Sequence, residues 1–332
     1  MKVFILFFLS LPFILSGSIE TLDLDVISYQ DLQSKDPIAL AQLRNALHDK
    51  GIVGVKGAPG YREKSAKFIK SARSFFASPK KVKQQYASDT VNFLGFGEGI
   101  EKFQRPNGEW VVDDLKVSFY ALIPNVSANK WPREIDLETP LREIASLMSQ
   151  TAKIVMKEIG MIGDDTNIGY DDVRHFTRTL HYKKSGKSHE TNPYWCGFHY
   201  DHSMFTALLP AFYFVDGKQI PEPQEAGLFV REKGTDTFKK VEANDPDVML
   251  FQVGEFGQLA TDDRAQATEH VVRKAAGNVD RYTFVLFTEP TLNVTIHSNS
   301  VLTDDSRYSG AAGSPCTYAH WNSASFARYN AK

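Results

Sequence analysis

The residues with the most chemical potential lie in CGFHYDHSMFTALL, residues 196–209, where His199, Asp201 and His202 interrupt an apolar and aromatic run. On a strand, side chains alternate between faces, so His199 and Asp201 are expected on one face and His202 on the other. A His-x-Asp pair facing inward is two-thirds of a two-His, one-carboxylate set, which leaves positions open on an octahedral metal. The third ligand should be a histidine from a distant strand, and TEHVVRK provides His270. His202 faces away and reads as packing around the site. Of the other histidines, His48, His189, His297 and His320 have no metal-like context, whereas His175 and His181 lie on or beside a strand, His181 nearer the site.

A second element strengthens this reading. Arg281 and Thr283 share one face of RYTFVLFTEP, eleven residues after His270. A guanidinium takes a carboxylate through two parallel hydrogen bonds, and a neighbouring hydroxyl adds a third. A structural Asp or Glu is the other partner such an arginine could have. Cys196 beside a histidine raises nucleophilic chemistry, but a buried cysteine is more often inert.

These groups need a scaffold. From about residue 175, FTRTLHY, GFHYDH, FTALLPAFYFV, AGLFVRE, FKKVE, DVMLFQVG and RYTFVLFTE are short, aromatic and β-branched, with turn residues between them. That spacing suggests a β-sandwich, jelly roll or barrel. Before it, residues 22–30 read as a strand, 38–51 as a helix ending at Gly51, IVGVKG as a strand and 65–79 as a helix stopped by Pro79. Residues 88–130 read as loop-rich, and 141–161 as the longest helix.

Composition sets further bounds. The chain has 332 residues, 42% hydrophobic and 23% charged, with net charge −2. This is ordinary for a soluble globular protein and gives no reason to expect a nucleic-acid partner. MKVFILFFLSLPFILSGS has the charged start, apolar middle and small-residue end of a secretory signal peptide, and its apolar run is short for a membrane span. Export is therefore expected (periplasmic, secreted or within a secretory pathway), with no membrane association after cleavage. Cys196 and Cys316 could pair there, though two cysteines make no disulfide framework. The sequons at Asn125 and Asn293 matter only in a glycosylating host.

In order, His199-x-Asp201, His270 and Arg281-x-Thr283 resemble the iron(II)/2-oxoglutarate-dependent oxygenases, closest to the isopenicillin N synthase-like and plant-type soluble dioxygenases. AGLFV resembles the "GLQV" strand between the ligands, and FKKVEANDPDVMLFQVGEFGQLAT the "W-x-x-V … VNxGD" stretch before the distal histidine. LDLDVISYQDL, ALHDKGIVGVKG and SFFASPKKVKQQY resemble the family's N-terminal "P-x-IDL", "GFF-x-V-x-NH" and "FF-x-LP-x-x-x-K" segments. The resemblance spans roughly residues 22–290, and agreement of several motifs in order is more specific than any one.

The resemblance implies an α+β, mainly β fold: a double-stranded β-helix (jelly roll) core with an N-terminal α/β region and flanking helices. The expected segments are a signal peptide at 1–18, an N-terminal dioxygenase region at 19–130, a support helix at 131–174, the jelly-roll domain at 175–290 and a tail at 291–332. It implies iron(II) on His199, Asp201 and His270, and 2-oxoglutarate on Arg281 and Thr283. TRTLHYKKS resembles the "NYYP" strand and adds the Tyr182 hydroxyl. The implied reaction is hydroxylation or desaturation of a small organic substrate, coupled to decarboxylation of 2-oxoglutarate. An alternative keeps the iron and gives Arg281 and Thr283 a substrate or ascorbate carboxylate, as in isopenicillin N synthase-like enzymes. Another is a non-catalytic exported binding protein of the same fold. The departures are Thr283 for the usual serine, QVGE for "NxGD", and a longer insertion, FVDGKQIPEPQEA, expected to shape the mouth. The segments expected to set specificity are 88–130, 183–196, 216–226 and 291–332, with Tyr194, Trp195, Tyr308, Tyr318 and Trp321. Oligomeric state is not legible.

Overall fold

The computed structural model describes residues 19–88, 93–100, 102–104, 110–124, 126–164, 166–184, 193–242 and 245–330. The expected signal peptide, His189 and Asn125 lie outside them. Strand β1 (Val26–Ser28) leads into α1 (Tyr29–Ser34) and α2 (Pro37–Asp49), then β2 (Ile52–Lys56), α3 (Tyr61–Ala77) and α4 (Lys80–Gln84). Strands β3 (Gly95–Glu98), β4 (Lys102–Gln104), β5 (Trp110–Val112) and β6 (Lys116–Ile123) precede α5 (Glu138–Glu158). Then come β7 (Val173–Tyr182), β8 (Tyr194–His199), β9 (Phe205–Val215), β10 (Lys218–Ile220), β11 (Gly227–Arg231), β12 (Phe238–Lys240) and β13 (Val248–Val253). After α6 (Glu255–Ala260) follow β14 (His270–Arg273), β15 (Val279–Pro290), β16 (Thr295–His297), β17 (Pro315–Thr317) and α7 (Tyr318–Asn330).

Local chemistry sets the helix boundaries. Asp36 caps α2 by accepting from the Ile38 and Ala39 amides at 3.0 and 2.9 Å, and Pro37 follows at the first helical position. Gly51 ends it with φ +67°, and a Cβ there would lie 2.3 Å from the Gln266 carbonyl oxygen. Two expectations change. Residues 22–30 give only three residues of strand before α1, because Ser28 caps that helix. The stretch 88–130, read as loop-rich, also holds strands among its described residues. It carries β3 to β6, and β6 is buried over six consecutive residues, so it lacks the alternation that marks a half-buried strand.

The large sheet runs β1-β2-β13-β9-β15-β7-β6-β3, with β10 on β9, and the small sheet runs β12-β11-β14-β8. Side chains from both meet in one cluster that includes Tyr182, Trp195, Tyr213, Val272 and Val285. This is the two-sheet jelly-roll arrangement within an α+β molecule. Helices α2, α3 and α5 cover the other face of the large sheet. Phe68 of α3 packs edge-on to Phe284 of β15 with centroids 5.0 Å apart, and α5 buries Leu141, Ile144, Met148, Ala152 and Val155. Fully burying a Leu, Ile, Met or Val side chain contributes roughly 1.5–3 kcal/mol. No helix among the described residues is long and apolar enough to cross a membrane.

Candidate active site

Strand β8 ends at His199 and pairs with the first residue of β14, placing His199 opposite His270 with ring centroids 4.1 Å apart. Asp201 lies past the strand, so its orientation does not come from strand alternation. The turn sets it. The Glu255 amide donates to the Asp201 carbonyl at 2.8 Å, and the Thr206 hydroxyl donates to carboxylate Oδ2 at 2.7 Å. That leaves Oδ1 facing both imidazoles, 3.8 Å from His199 Nε2 and 3.8 Å from His270 Nε2. Gly254 permits the arrangement, since a Cβ there would stand 2.1 Å from the Ser203 carbonyl oxygen.

The other imidazole nitrogens are committed. His199 Nδ1 donates to the Gly197 carbonyl at 2.7 Å, and His270 Nδ1 donates to the Thr268 carbonyl at 3.0 Å. Fixing Nδ1–H in this way directs each Nε2 into the site, as in metal-binding histidines. The donor atoms of His199, Asp201 and His270 all lie within 4.8 Å of one another. Desolvation, then the neighbouring His199, lowers His270 to about 4, so it is neutral near pH 7. Desolvation opposes ionisation of Asp201, but His270, His199 and Thr206 outweigh it and hold the carboxyl below its usual range. Desolvation also works against His199, yet Cys196 and Asp201 raise it to about 9. The proton His199 must give up for a metal therefore sits on Nε2, the atom aimed at Asp201. Two imidazole nitrogens and one carboxylate oxygen on one side fit a first-row divalent metal with open positions.

The same cavity holds the carboxylate-binding candidates. It encloses about 80 Å³ between the two sheets, and its lining includes the triad, Tyr182, Arg281 and Thr283. That is several times the roughly 10–15 Å³ that a single water needs. Arg281 is 6% exposed, its Nε donates to the Tyr213 hydroxyl at 3.2 Å, and its guanidinium carbon lies 4.9 Å from the centre of the Tyr182 ring. Its Nη1 is buried with no partner among the described residues. A buried, unsatisfied guanidinium N–H is costly, and a carboxylate would satisfy it. The Thr283 hydroxyl lines the cavity while donating to the Leu209 carbonyl at 2.6 Å. Arg281 is the third residue of β15.

Other expectations meet the structure differently. His181 lies outside the cavity: it stacks on Tyr282 at 4.2 Å and bonds Asp280 at 2.7 Å. His202 stands clear of the triad, with Nε2 3.1 Å from Asn322 Oδ1. Cys196 and Cys316 are both free thiols. Trp195, Tyr308, Tyr318 and Trp321 are buried, so the tail aromatics pack instead of lining a mouth. Sequence reasoning missed Tyr213, Glu222, Gln252 and Arg178, which lie in or against the cavity wall. Gln252 had a legible signal, as the one polar residue in the buried strand VMLFQV. It is 1% exposed, and neither amide atom has a partner among the described residues.

Residues 20–134 match the family model described as non-haem dioxygenase in morphine synthesis, N-terminal. Solved structures match nearly the whole chain. A full-length Neurospora crassa protein, solved in complex with alpha-KG and thymine, is 16% identical over 92% of this chain and 96% of its own, with a TM-score of 0.67. JOX2 in complex with 2OG, Fe and JA is 17% identical over 92% and 86%, with a TM-score of 0.66. The fold is that of the iron(II)/2-oxoglutarate oxygenases. The rice dioxygenase for auxin oxidation, 17% identical over 92% and 96% with a TM-score of 0.64, shares this oxygenase fold. No curated protein matches the sequence.

Proposed function

We propose that this protein is a non-haem iron oxygenase that uses 2-oxoglutarate to oxidise a small organic substrate. Its likeness to 2-oxoglutarate–iron oxygenases gives the class. The observation that carries the co-substrate is the unpartnered Nη1 of Arg281, buried in the cavity that also holds the His199–Asp201–His270 cluster.

The geometry supports the following roles. His199, Asp201 and His270 would hold iron(II), with two imidazole nitrogens and a carboxylate oxygen available to it. Gly197 and Thr268 fix the imidazole tautomers, and Thr206 fixes the carboxylate. Arg281 takes the far carboxylate of 2-oxoglutarate against the Tyr182 ring, with the Thr283 hydroxyl beside it. When bound, iron and 2-oxoglutarate together supply the oxidising power for hydroxylation or desaturation. The apolar walls, including Leu208, Leu228, Leu250 and Val285, exclude water.

The reading is tested by turnover. Iron-loaded protein given 2-oxoglutarate and oxygen should form succinate slowly even without substrate, and His270→Ala should form none. Iron uptake with no succinate from the unaltered protein would move Arg281 to a substrate carboxylate, the isopenicillin N synthase-like reading. The apolar N-terminal segment supports export. A secreted chain whose N-terminus, read by mass spectrometry, still carries residues 1–18 would contradict cleavage.

A further inference from the structure

Resting on that reading, we propose that Lys240, Glu222 and Tyr213 form a positioning chain for Arg281 that sets the affinity for the co-substrate carboxylate.

Arg281 meets two tyrosines, and only one gives it a hydrogen bond. Tyr182 stands directly across on β7 and offers its ring. The Tyr213 hydroxyl on β9 accepts from Arg281 Nε at 3.2 Å. That hydroxyl has one proton, and it goes to Glu222 Oε2 at 2.8 Å. The direction of the chain is therefore fixed: guanidinium to phenol, phenol to carboxylate. Because Glu222 is the acceptor, the Tyr213 oxygen must turn its lone pair toward Arg281.

Glu222 is held in turn. Lys240 Nζ lies 3.1 Å from Glu222 Oε1, an ion pair in which that oxygen takes no hydrogen bond, and donates to the carbonyls of Pro223 and Gln224 at 2.8 and 2.9 Å. Lys240 is 4% exposed and Tyr213 1%. The carboxylate occupies space that only a glycine leaves open, since a Cβ on Gly227 would come within 2.8 Å of its oxygens. A buried ammonium, carboxylate, phenol and guanidinium thus run in line to the cavity.

Two consequences follow. A bare glutamate beside Arg281 would compete with an incoming dicarboxylate for the guanidinium. Instead, Lys240 offsets its charge and Tyr213 stands between them, so Arg281 is oriented while its Nη1 stays available. The insertion carrying Glu222, expected at the mouth, in fact reaches the Arg281 end of the cavity. Tyr213 and Glu222 are positioning residues here. Neither needs to touch the reacting atoms.

Tyr213→Phe removes only the hydroxyl and keeps the buried ring. Iron(II) and then 2-oxoglutarate are titrated anaerobically into the unaltered protein, Tyr213→Phe and Glu222→Gln, reading iron uptake and co-substrate dissociation constant separately. Tyr213→Phe should take up iron as the unaltered protein does and bind 2-oxoglutarate about tenfold or more weakly, as expected for loss of one hydrogen bond to a charged group. Glu222→Gln keeps an acceptor and should weaken binding less. Co-substrate affinity within twofold of the unaltered protein in Tyr213→Phe would overturn the proposal, as would equal loss of iron and co-substrate in both variants, which marks a merely structural role. If the unaltered protein takes up iron but binds no 2-oxoglutarate, the co-substrate reading fails, and this proposal with it.

Discussion

At the residue scale, the Asp201 carboxylate is divided between two jobs. One oxygen is anchored by Thr206 and the other faces two imidazoles. Thr206→Val should leave the fold intact and weaken iron binding by about tenfold or more, the usual effect of losing a group that orients a ligand. Equilibrium dialysis checks this, and unchanged affinity would show that Asp201 needs no anchor. Arg281→Ala should leave iron uptake unchanged while co-substrate binding falls sharply, measured by calorimetry on the iron-loaded protein under nitrogen. The triad and Arg281 were legible in the sequence because their side-chain types are rare inside apolar strands. Tyr213, Glu222 and Arg178 were not, because a tyrosine, glutamate or arginine in a strand or loop is common. Strand pairing brings Tyr213 and Arg178 to the cavity, and the segment between β10 and β11 brings Glu222.

At the element scale, alternation along GFHYDH predicted the right neighbours for a reason that does not apply. Strand β8 ends at His199, and Asp201 is placed by a turn packed under α6. The expectation succeeded because that turn returns the carboxylate to the face His199 occupies. Gly254→Ala tests the turn: its Cβ would stand 2.1 Å from the Ser203 carbonyl oxygen and 3.0 Å from that of Asp201. Overpacking of this kind costs typically about 1–3 kcal/mol, and here it should lower both melting temperature and iron affinity. A lower melting temperature with unchanged iron affinity would separate the turn from the ligand. The end of α2 was legible because Gly51 marks it chemically, and Asp36 and Pro37 mark its start in the structure. Strands β3 to β6 were not, because short strands and an all-buried strand carry no period to read.

At the scale of the whole molecule, the C-terminal tail is tied to the site. Arg307 makes a two-pronged pair with Glu255, both contacts at 2.6 Å, and lies 4.2 Å over the Trp321 ring. Glu255 also begins α6 and holds the Asp201 carbonyl through its amide. The tail therefore braces the turn that carries Asp201, where the sequence suggested a segment that sets specificity. Asp305 completes the cluster with Arg307 and Arg328. Desolvation raises its pKa, but bonds to the two arginines prevail and hold it at about 2. The sign follows: a depressed carboxyl contributes stability above its ordinary value near 3.8, and that contribution is lost as pH falls through about 2. Tail fluorescence from Trp321 should accordingly change between about pH 4 and pH 2 before the core unfolds, and Asp305→Asn should remove that early phase. An early phase unchanged in Asp305→Asn would assign it elsewhere.

The central claim is that one cavity holds both a metal and a dicarboxylate. The most direct measurement is an anaerobic titration of the chain from residue 19 onward with iron(II), then 2-oxoglutarate, following the weak visible charge-transfer band of the chelate. The account predicts a band that saturates near one equivalent per chain, is absent in His199→Ala and needs far more 2-oxoglutarate in Arg281→Ala. No iron uptake at all by the unaltered protein would contradict the account and leave a binding protein that shares the oxygenase fold.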